Sequence, residues 1–308
     1  MINQNKKMID PSNDAPLEEG ETHVVLEPNA MAAGQQVIRR ITVALDASSD
    51  SRAALVAAAL LAETWKAELH GLFVEDINLL RLSELPFARE ILFAESELRR
   101  IEREELLRRL RARAAILRQE VQEIAAEYRI AGTFQVMRGS VGKELLAAVL
   151  DTDLLAIGRL GHSIAHRAPL GSTARAIIAG ATSAVLLVRA EVAMGPIVAL
   201  YDGSDVGRRV LDLAVSLTER GGDLRVLVWA EDEAVAFETR QLAAHLLETH
   251  AIHIQYQHLS GDNPQFVLQW VNRQKASLLL LGAGRANLSD HIFQMLLDEA
   301  EQNILIIR

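Results

Sequence analysis

The stretch Leu154-Leu-Ala-Ile-Gly-Arg-Leu-Gly161, followed after nine intervening residues by Gly171-Ser-Thr173, decides the fold of this chain. The apolar run at 154–157 is typical of a buried parallel strand, and it ends directly on Gly158. Glycines at the carboxyl end of a strand permit close backbone approach, and Gly-Ser-Thr is a typical helix start. Free N–H groups and the helix dipole favour phosphate there. The stretch therefore predicts a strand, a phosphate-binding loop and a helix.

The same alternation of strand and helix patterns extends on both sides of this stretch. Short β-branched and apolar runs alternate with segments of helical periodicity, which is typical of βαβ units around a parallel sheet. Ligands bind such doubly wound sheets at the carboxyl ends of the strands, where Asp46, Val74, Met137 and Gly158 would collect. We predict strands at 39–45, 68–74, 133–137, 153–158 and 184–188, and helices near 50–65, 96–129, 141–150 and 172–180.

The second half of the chain repeats this pattern. Ile197-Val-Ala-Leu-Tyr-Asp-Gly-Ser204 repeats Ile41-Thr-Val-Ala-Leu-Asp-Ala-Ser48, and further strand patterns follow at 224–229, 252–258, 278–282 and 304–307. This indicates an internal duplication. We predict one domain at 37–190 and a second at 195–308. Residues 1–36 are polar and rich in acidic residues, so we expect a disordered tail.

The second copy lacks the complete loop. Gly282-Ala-Gly284 follows its fourth strand, but no Gly-Ser pair comes after it, and Leu297-Asp-Glu299 stands roughly where that pair is expected. Two carboxylates at this place would repel a polyphosphate. We therefore expect nucleotide binding to be lost from the second copy.

Bulk composition narrows the function classes. The formal net charge is −9, which argues against general attraction to nucleic acid or to an anionic membrane. The chain has no cysteine, so disulfides and thiolate chemistry are excluded. The longest apolar run, at 53–62, is shorter than the roughly 20 residues of a membrane span. We expect a soluble, cytoplasmic protein with neither nucleic acid nor membrane as its partner.

The spacing Gly-x2-Gly-x9-Gly-Ser resembles the nucleotide-binding signature of the universal stress protein family. Three further segments resemble the family in the right order along the chain. The segment at 41–48 resembles its first strand, with an Asp at the end. Met137-Arg-Gly-Ser-Val-Gly-Lys-Glu-Leu-Leu146 resembles the turn before its third helix, and Val185-Leu-Leu-Val188 stands where the family has its last strand. The chain thus resembles a tandem, two-domain member.

The resemblance implies an α/β fold of two tandem, doubly wound, five-stranded parallel-sheet domains, of the adenine nucleotide alpha hydrolase-like class. It implies ATP as the ligand and leaves open whether Mg²⁺ accompanies it. It places the adenine end of ATP near Asp46 and the backbone at Val74, and it places the triphosphate and ribose at Gly158, Gly161, Gly171, Ser172 and Thr173. It also implies an internal pseudo-dimer joined through the last strands, 184–188 and 303–307, and leaves a homodimer open.

The glycines, Asp46 and the function each have an alternative interpretation. The glycines could serve only the turn, and Asp46 could be a carboxylate that stabilises a helix start. An arginine- and glutamate-rich helix near 96–129 has an apolar stripe on one face, which is typical of a helix packed on the sheet with its other face in solvent. Its length exceeds what the sheet requires, which leaves open an alternative function, a nucleotide-independent interaction with an unknown protein partner. No base and nucleophile pair is evident, so we expect no enzyme beyond slow ATP hydrolysis, and no protein metal site.

Overall fold

The computed structural model describes residues 38–85, 89–91, 98–100, 103–158, 170–189, 194–218, 222–230, 232–260, 265–283 and 290–308. All of them lie within one unit that spans residues 36–308. The tail predicted at 1–36 and the loop glycine Gly161 lie outside the described residues.

The first half contains the strands and helices that precede the connector near residue 194. In chain order they are β1 (Arg40–Leu45), α1 (Ser49–Trp65), β2 (Glu68–Asp76), α2 (Ile77–Ser83), β3 (Arg89–Ile91), β4 (Leu98–Arg100), α3 (Arg103–Glu127), β5 (Gly132–Gly139), α4 (Val141–Ala148), β6 (Leu154–Gly158), α5 (Ser172–Gly180) and β7 (Ala184–Val188).

The second half repeats the alternation with shorter connections. Its elements are β8 (Ile197–Tyr201), α6 (Asp205–Thr218), β9 (Asp223–Ala230), α7 (Glu233–Leu247), β10 (His253–Ser260), α8 (Gln265–Arg273), β11 (Leu278–Gly282), α9 (Asp290–Glu299) and β12 (Asn303–Ile307). Among the described helices, none has both the length and the apolar character needed to cross a membrane.

The two halves share one ten-stranded sheet, in the order β10-β9-β8-β11-β12-β7-β6-β1-β2-β5. Within each half the five strands are parallel. The last strands of the halves, β7 and β12, pair in antiparallel fashion, with Leu186 opposite Leu305. The α/β fold class is therefore confirmed, as is the pairing through the last strands. The exact domain boundaries stay a prediction.

Two arginines reinforce this central pairing. Arg189 follows β7, and its guanidinium donates to the carbonyl oxygens of Leu297 and, at 2.5 Å, Ala300, both near the end of α9. Arg308 follows β12 and donates in turn to the carbonyl oxygen of Ile178 in α5. A cation beside carbonyls at a helix end satisfies groups that the helix leaves open. Each half thus uses its terminal arginine to hold the last helix of the other.

The predicted long helix needs a correction. It begins at Arg103 and not near residue 96, because residues 98–100 form β4 and pair with β3. Its apolar stripe is confirmed as a buried face, since Leu110, Leu117 and Val121 are at most 6% exposed and belong to the core of the chain. The stripe therefore serves the fold, and the outer face of α3 is left mostly polar.

Candidate nucleotide site

A cavity of about 340 Å³ lies at the carboxyl ends of β1, β2 and β6 in the first half. This is the edge of the sheet at which the topology predicts a ligand. The structure brings six of the seven predicted site residues together in the lining of this cavity: Asp46, Val74, Gly158, Gly171, Ser172 and Thr173. The seventh, Gly161, lies outside the described residues, so its place stays a prediction.

One wall of the cavity is apolar. Leu72 and Val74 come from β2, Leu145 comes from α4, and Ile157 and Ile177 come from β6 and α5. They belong to the core layer on that side of the sheet, or pack against it, so their positions are fixed by the fold. Ligand pockets of 300–1,000 Å³ with a mainly apolar lining and a few polar groups suit small organic ligands. This wall fits a flat, weakly polar ring such as a nucleobase.

The start of α5 also lines the cavity. Its N-cap residue is Gly171, which has no side chain to hydrogen-bond the N–H groups of the first turn. The side chains of Ser172 and Thr173 are exposed there. Uncapped N–H groups, hydroxyls and the positive end of the helix dipole together favour an anion. The cavity therefore combines an apolar wall with a phosphate-binding end.

Asp46 shapes the turn into α1. Its Oδ1 accepts a hydrogen bond from the Ser48 N–H at 2.9 Å, and Ser48 Oγ accepts one from the Ser51 N–H at 3.1 Å. The second half repeats the arrangement, since Asp202 Oδ1 accepts from the Ser204 N–H at 3.0 Å. A carboxylate at this position therefore has a structural role in both halves, which supports the alternative interpretation of Asp46. Both roles are compatible, because a carboxylate accepts several hydrogen bonds.

Between Asp46 and Ser48, Ala47 adopts a left-handed backbone conformation with φ of 65°. The equivalent residue of the second half is Gly203, with φ of +80°. A residue with a Cβ is strained there by about 1–2 kcal/mol. We expect Ala47→Gly to raise the free energy of unfolding by about 1 kcal/mol, after the added freedom of the unfolded chain is deducted. Urea unfolding measures this, with Gly203→Ala expected to shift stability the opposite way. A lower stability of Ala47→Gly would contradict the account.

Gly158 has a packing reason to be glycine. A Cβ at this position would lie 2.9 Å from the carbonyl carbon of Asp50, in the first turn of α1. Gly282 of the second half meets α6 in the same way, 3.0 Å from a methyl carbon of Val206. Close helix approach therefore excludes a side chain at Gly158 whether or not a ligand binds. The sequence interpretation offers the ligand or the turn as the reason for this glycine, and not the packing of α1 against it.

The corresponding region of the second half has larger side chains at two equivalent positions. The strand registers place Trp229 where the first half has Val74, and Trp229 is 5% exposed. Aligning α9 with α5 from their first residues places buried Ile292 where the first half has Ala174. Alignment of the two strand patterns in the sequence would have identified the tryptophan.

The connection before α9 is also short. Seven residues separate Gly282 from Asp290, whereas thirteen separate Gly158 from Ser172. This overturns the expectation that Leu297-Asp-Glu299 occupies the place of the missing Gly-Ser pair. The residue at that place is Asp290, and Asp298 and Glu299 lie at the far end of α9. A carboxylate that would repel a polyphosphate is nevertheless present, because Asp290 stands where the first half has Ser172.

No group of three or more metal-ligating side chains forms within the part of the chain that the structure describes. Phosphate oxygens of a nucleotide can themselves be ligands of a divalent cation, as they are for Mg²⁺ at many nucleotide sites.

The family model of the universal stress protein family matches residues 38–189. Residues 38–189 therefore belong to the universal stress protein family. The match covers the whole first half, including every element that lines the cavity. No curated protein sequence matches the chain.

Solved structures extend the likeness in fold across both halves. A universal stress protein from Archaeoglobus fulgidus DSM 4304 aligns with 87% of this chain and 98% of its own, at 14% identity and a TM-score of 0.68. A putative universal stress protein from Pseudomonas aeruginosa UCBPP-PA14 aligns with 89% of this chain and 94% of its own, at 16% identity and a TM-score of 0.56. At these identities the matches establish the fold alone.

Proposed function

We propose that this universal stress protein binds one ATP per chain, in the cavity of its first half, and acts in a stress response through that binding. The observation that carries the proposal is the cavity itself, where an apolar wall and an uncapped helix start face the same space. Apolar and anion-binding surfaces side by side fit a nucleotide better than they fit a purely apolar or purely ionic ligand.

Different parts of the cavity hold the base and the phosphates of ATP. The wall that contains Leu72 and Val74 holds the base, and Asp46 lies at that end of the cavity. The first turn of α5, with Ser172 and Thr173, holds the phosphates, together with the loop that contains Gly161. Bound ATP supplies a polyphosphate charge and a γ-phosphate that can be lost on hydrolysis. Mg²⁺, where present, is carried in with the phosphates.

We propose regulation and not catalysis as the outcome of binding. Binding would bias the conformation of the chain or its contact with a partner, with at most slow hydrolysis. No pair of a general base and a nucleophile has been identified around the described lining, and fast phosphoryl transfer requires positioned charge and a positioned nucleophile. A cytoplasmic location stays a prediction from composition.

The partner-binding alternative ranks second. It rests on the long, arginine- and glutamate-rich helix α3, whose apolar stripe packs into the core of its own chain. What remains for a partner is the outer, charged face of α3, on which Ile116 is 58% exposed.

The first experiment is to denature the purified protein and quantify the released nucleotide by chromatography against protein concentration. We expect close to one ATP per chain, because the second half has Trp229 at the position of Val74 and lacks the longer loop. Two per chain would contradict the assignment of the second half. A protein that releases none and also fails to bind added ATP would refute the proposed function.

A further inference from the structure

The segment that begins the phosphate-binding helix is held in place by the second half. Leu170 directly precedes Gly171, and its backbone N–H donates to Asp298 Oδ1 of α9 at 3.4 Å. Its carbonyl oxygen accepts from Arg175 Nε at 3.1 Å. Arg175 Nη2 in turn donates to the same Asp298 oxygen at 2.7 Å. Both peptide groups of Leu170 are therefore bound by one ion pair, whose members come from the two halves.

This ion pair has features that a chance surface contact lacks. Asp298 lies in the last turn of α9, where a negative charge is disfavoured by the helix dipole. Arg175 lies in the first turn of α5, where a positive charge is disfavoured for the same reason. The Leu170 side chain is only 4% exposed, so the segment is anchored on its other side as well. Each charge sits at an unfavourable helix end and is compensated by the other.

The ion pair between Asp298 and Arg175 has no counterpart at the equivalent positions of the two helices. Aligning the two helices from their first residues places Phe293 at the position of Arg175 and Gly180 at that of Asp298. Neither residue can form an ion pair, so no equivalent ion pair joins these two positions. The side chains therefore serve the half that keeps the cavity.

We infer that Asp298, acting through Arg175, is a positioning residue for the nucleotide site, and that the second half exists partly to fix the phosphate-binding end of the first. This inference rests on the proposed function. The ion pair is 41% and 29% exposed, so its direct contribution to stability is small. Its effect lies in the orientation of residues 170–173, which carry the N–H groups that face the phosphates. Pre-organised donors bind an anion without a reorganisation cost, and displaced ones do not.

The test is Asp298→Ala in the full chain, with ATP and adenosine as separate probes in calorimetric titrations. We expect ATP affinity to fall about tenfold, the order of one coupled contact, with adenosine affinity unchanged. The helix tolerates alanine, and the bond from Arg189 to the backbone carbonyl of residue 298 is kept. Glu299→Ala is the matched control, since it removes the neighbouring carboxylate. Asp298→Asn keeps an acceptor for the Leu170 N–H and should fall between wild type and alanine.

The outcomes separate this inference from the proposed function. If the wild-type protein binds neither ATP nor adenosine, both the proposed function and the positioning role of Asp298 are refuted. Wild-type binding of ATP with unchanged affinity in Asp298→Ala would remove only the positioning role. An equal loss of ATP and adenosine affinity, with a lower melting temperature, would show a general structural effect and would also overturn it.

Discussion

Gly171→Glu is expected to abolish ATP binding while the fold is kept. Gly171 has φ of −58° and ψ of 151°, a conformation open to any residue, so glutamate meets no backbone strain there. A carboxylate at the start of α5 also interacts favourably with the helix dipole. The same charge, however, occupies the end of the cavity assigned to phosphate. Like charges at a binding surface cost several kcal/mol, so we expect the Kd for ATP to rise at least about a hundredfold.

Gly171→Gln is the matched control, because it adds nearly the same volume without the charge. We expect it to weaken ATP binding much less than glutamate does, as measured by calorimetry on both variants. Circular dichroism and thermal unfolding should show both variants folded. An unchanged Kd in Gly171→Glu would refute the assignment of α5 as the phosphate-binding helix. Equal loss in both variants would assign the effect to volume and not to charge.

Arg189→Ala is expected to give a large loss of stability at the centre of the sheet. The guanidinium donates to the carbonyl oxygens of Leu297 and Ala300, and to that of Leu296 at 3.3 Å. Hydrogen bonds from a charged donor contribute about 1.5–3 kcal/mol, and carbonyls left unsatisfied in a part-buried site add to the loss. We expect the free energy of unfolding to fall by about 2–4 kcal/mol, measured by urea denaturation.

Arg308→Ala provides the comparison at the related position. It removes a bond to one carbonyl oxygen, that of Ile178, so we expect a loss about half as large. Arg189→Lys should recover little of the loss, because a single ammonium does not reproduce the geometry of a guanidinium. If Arg189→Ala were as stable as the wild type, the helix-end role assigned to this residue would be wrong.

The sequence predicts most of the sheet, because most of its strands coincide with short apolar or β-branched runs. The run at 154–157 and its counterpart in β11 have no helical periodicity, and glycine ends both. The sequence does not predict the hairpin of β3 and β4, because these strands are too short to show a pattern. Three residues are too few to show a period of two, so the pattern of α3 was extended backwards over them.

The sequence predicts most residues of the candidate site, but it does not predict the contact from the second half that holds the start of α5. Residues that lie beside strand ends were found, because the carboxyl ends of parallel strands meet at one edge. The predicted position of Asp298, at the start of the last helix, is wrong because it assumes a loop of similar length after Gly158 and after Gly282. Its contact with Leu170 joins residues 128 positions apart, and no local pattern encodes such a contact.

The antiparallel pairing of β7 with β12 has a consequence for stoichiometry in the cell. Two separate chains joined in this way would associate according to their concentrations and could also form pairs of identical copies. Here the partners are covalently joined, so the effective concentration of one for the other is fixed at every expression level. Each molecule therefore carries one half with the cavity and one half with larger side chains at equivalent positions. The asymmetry is inherited with the gene and does not depend on assembly.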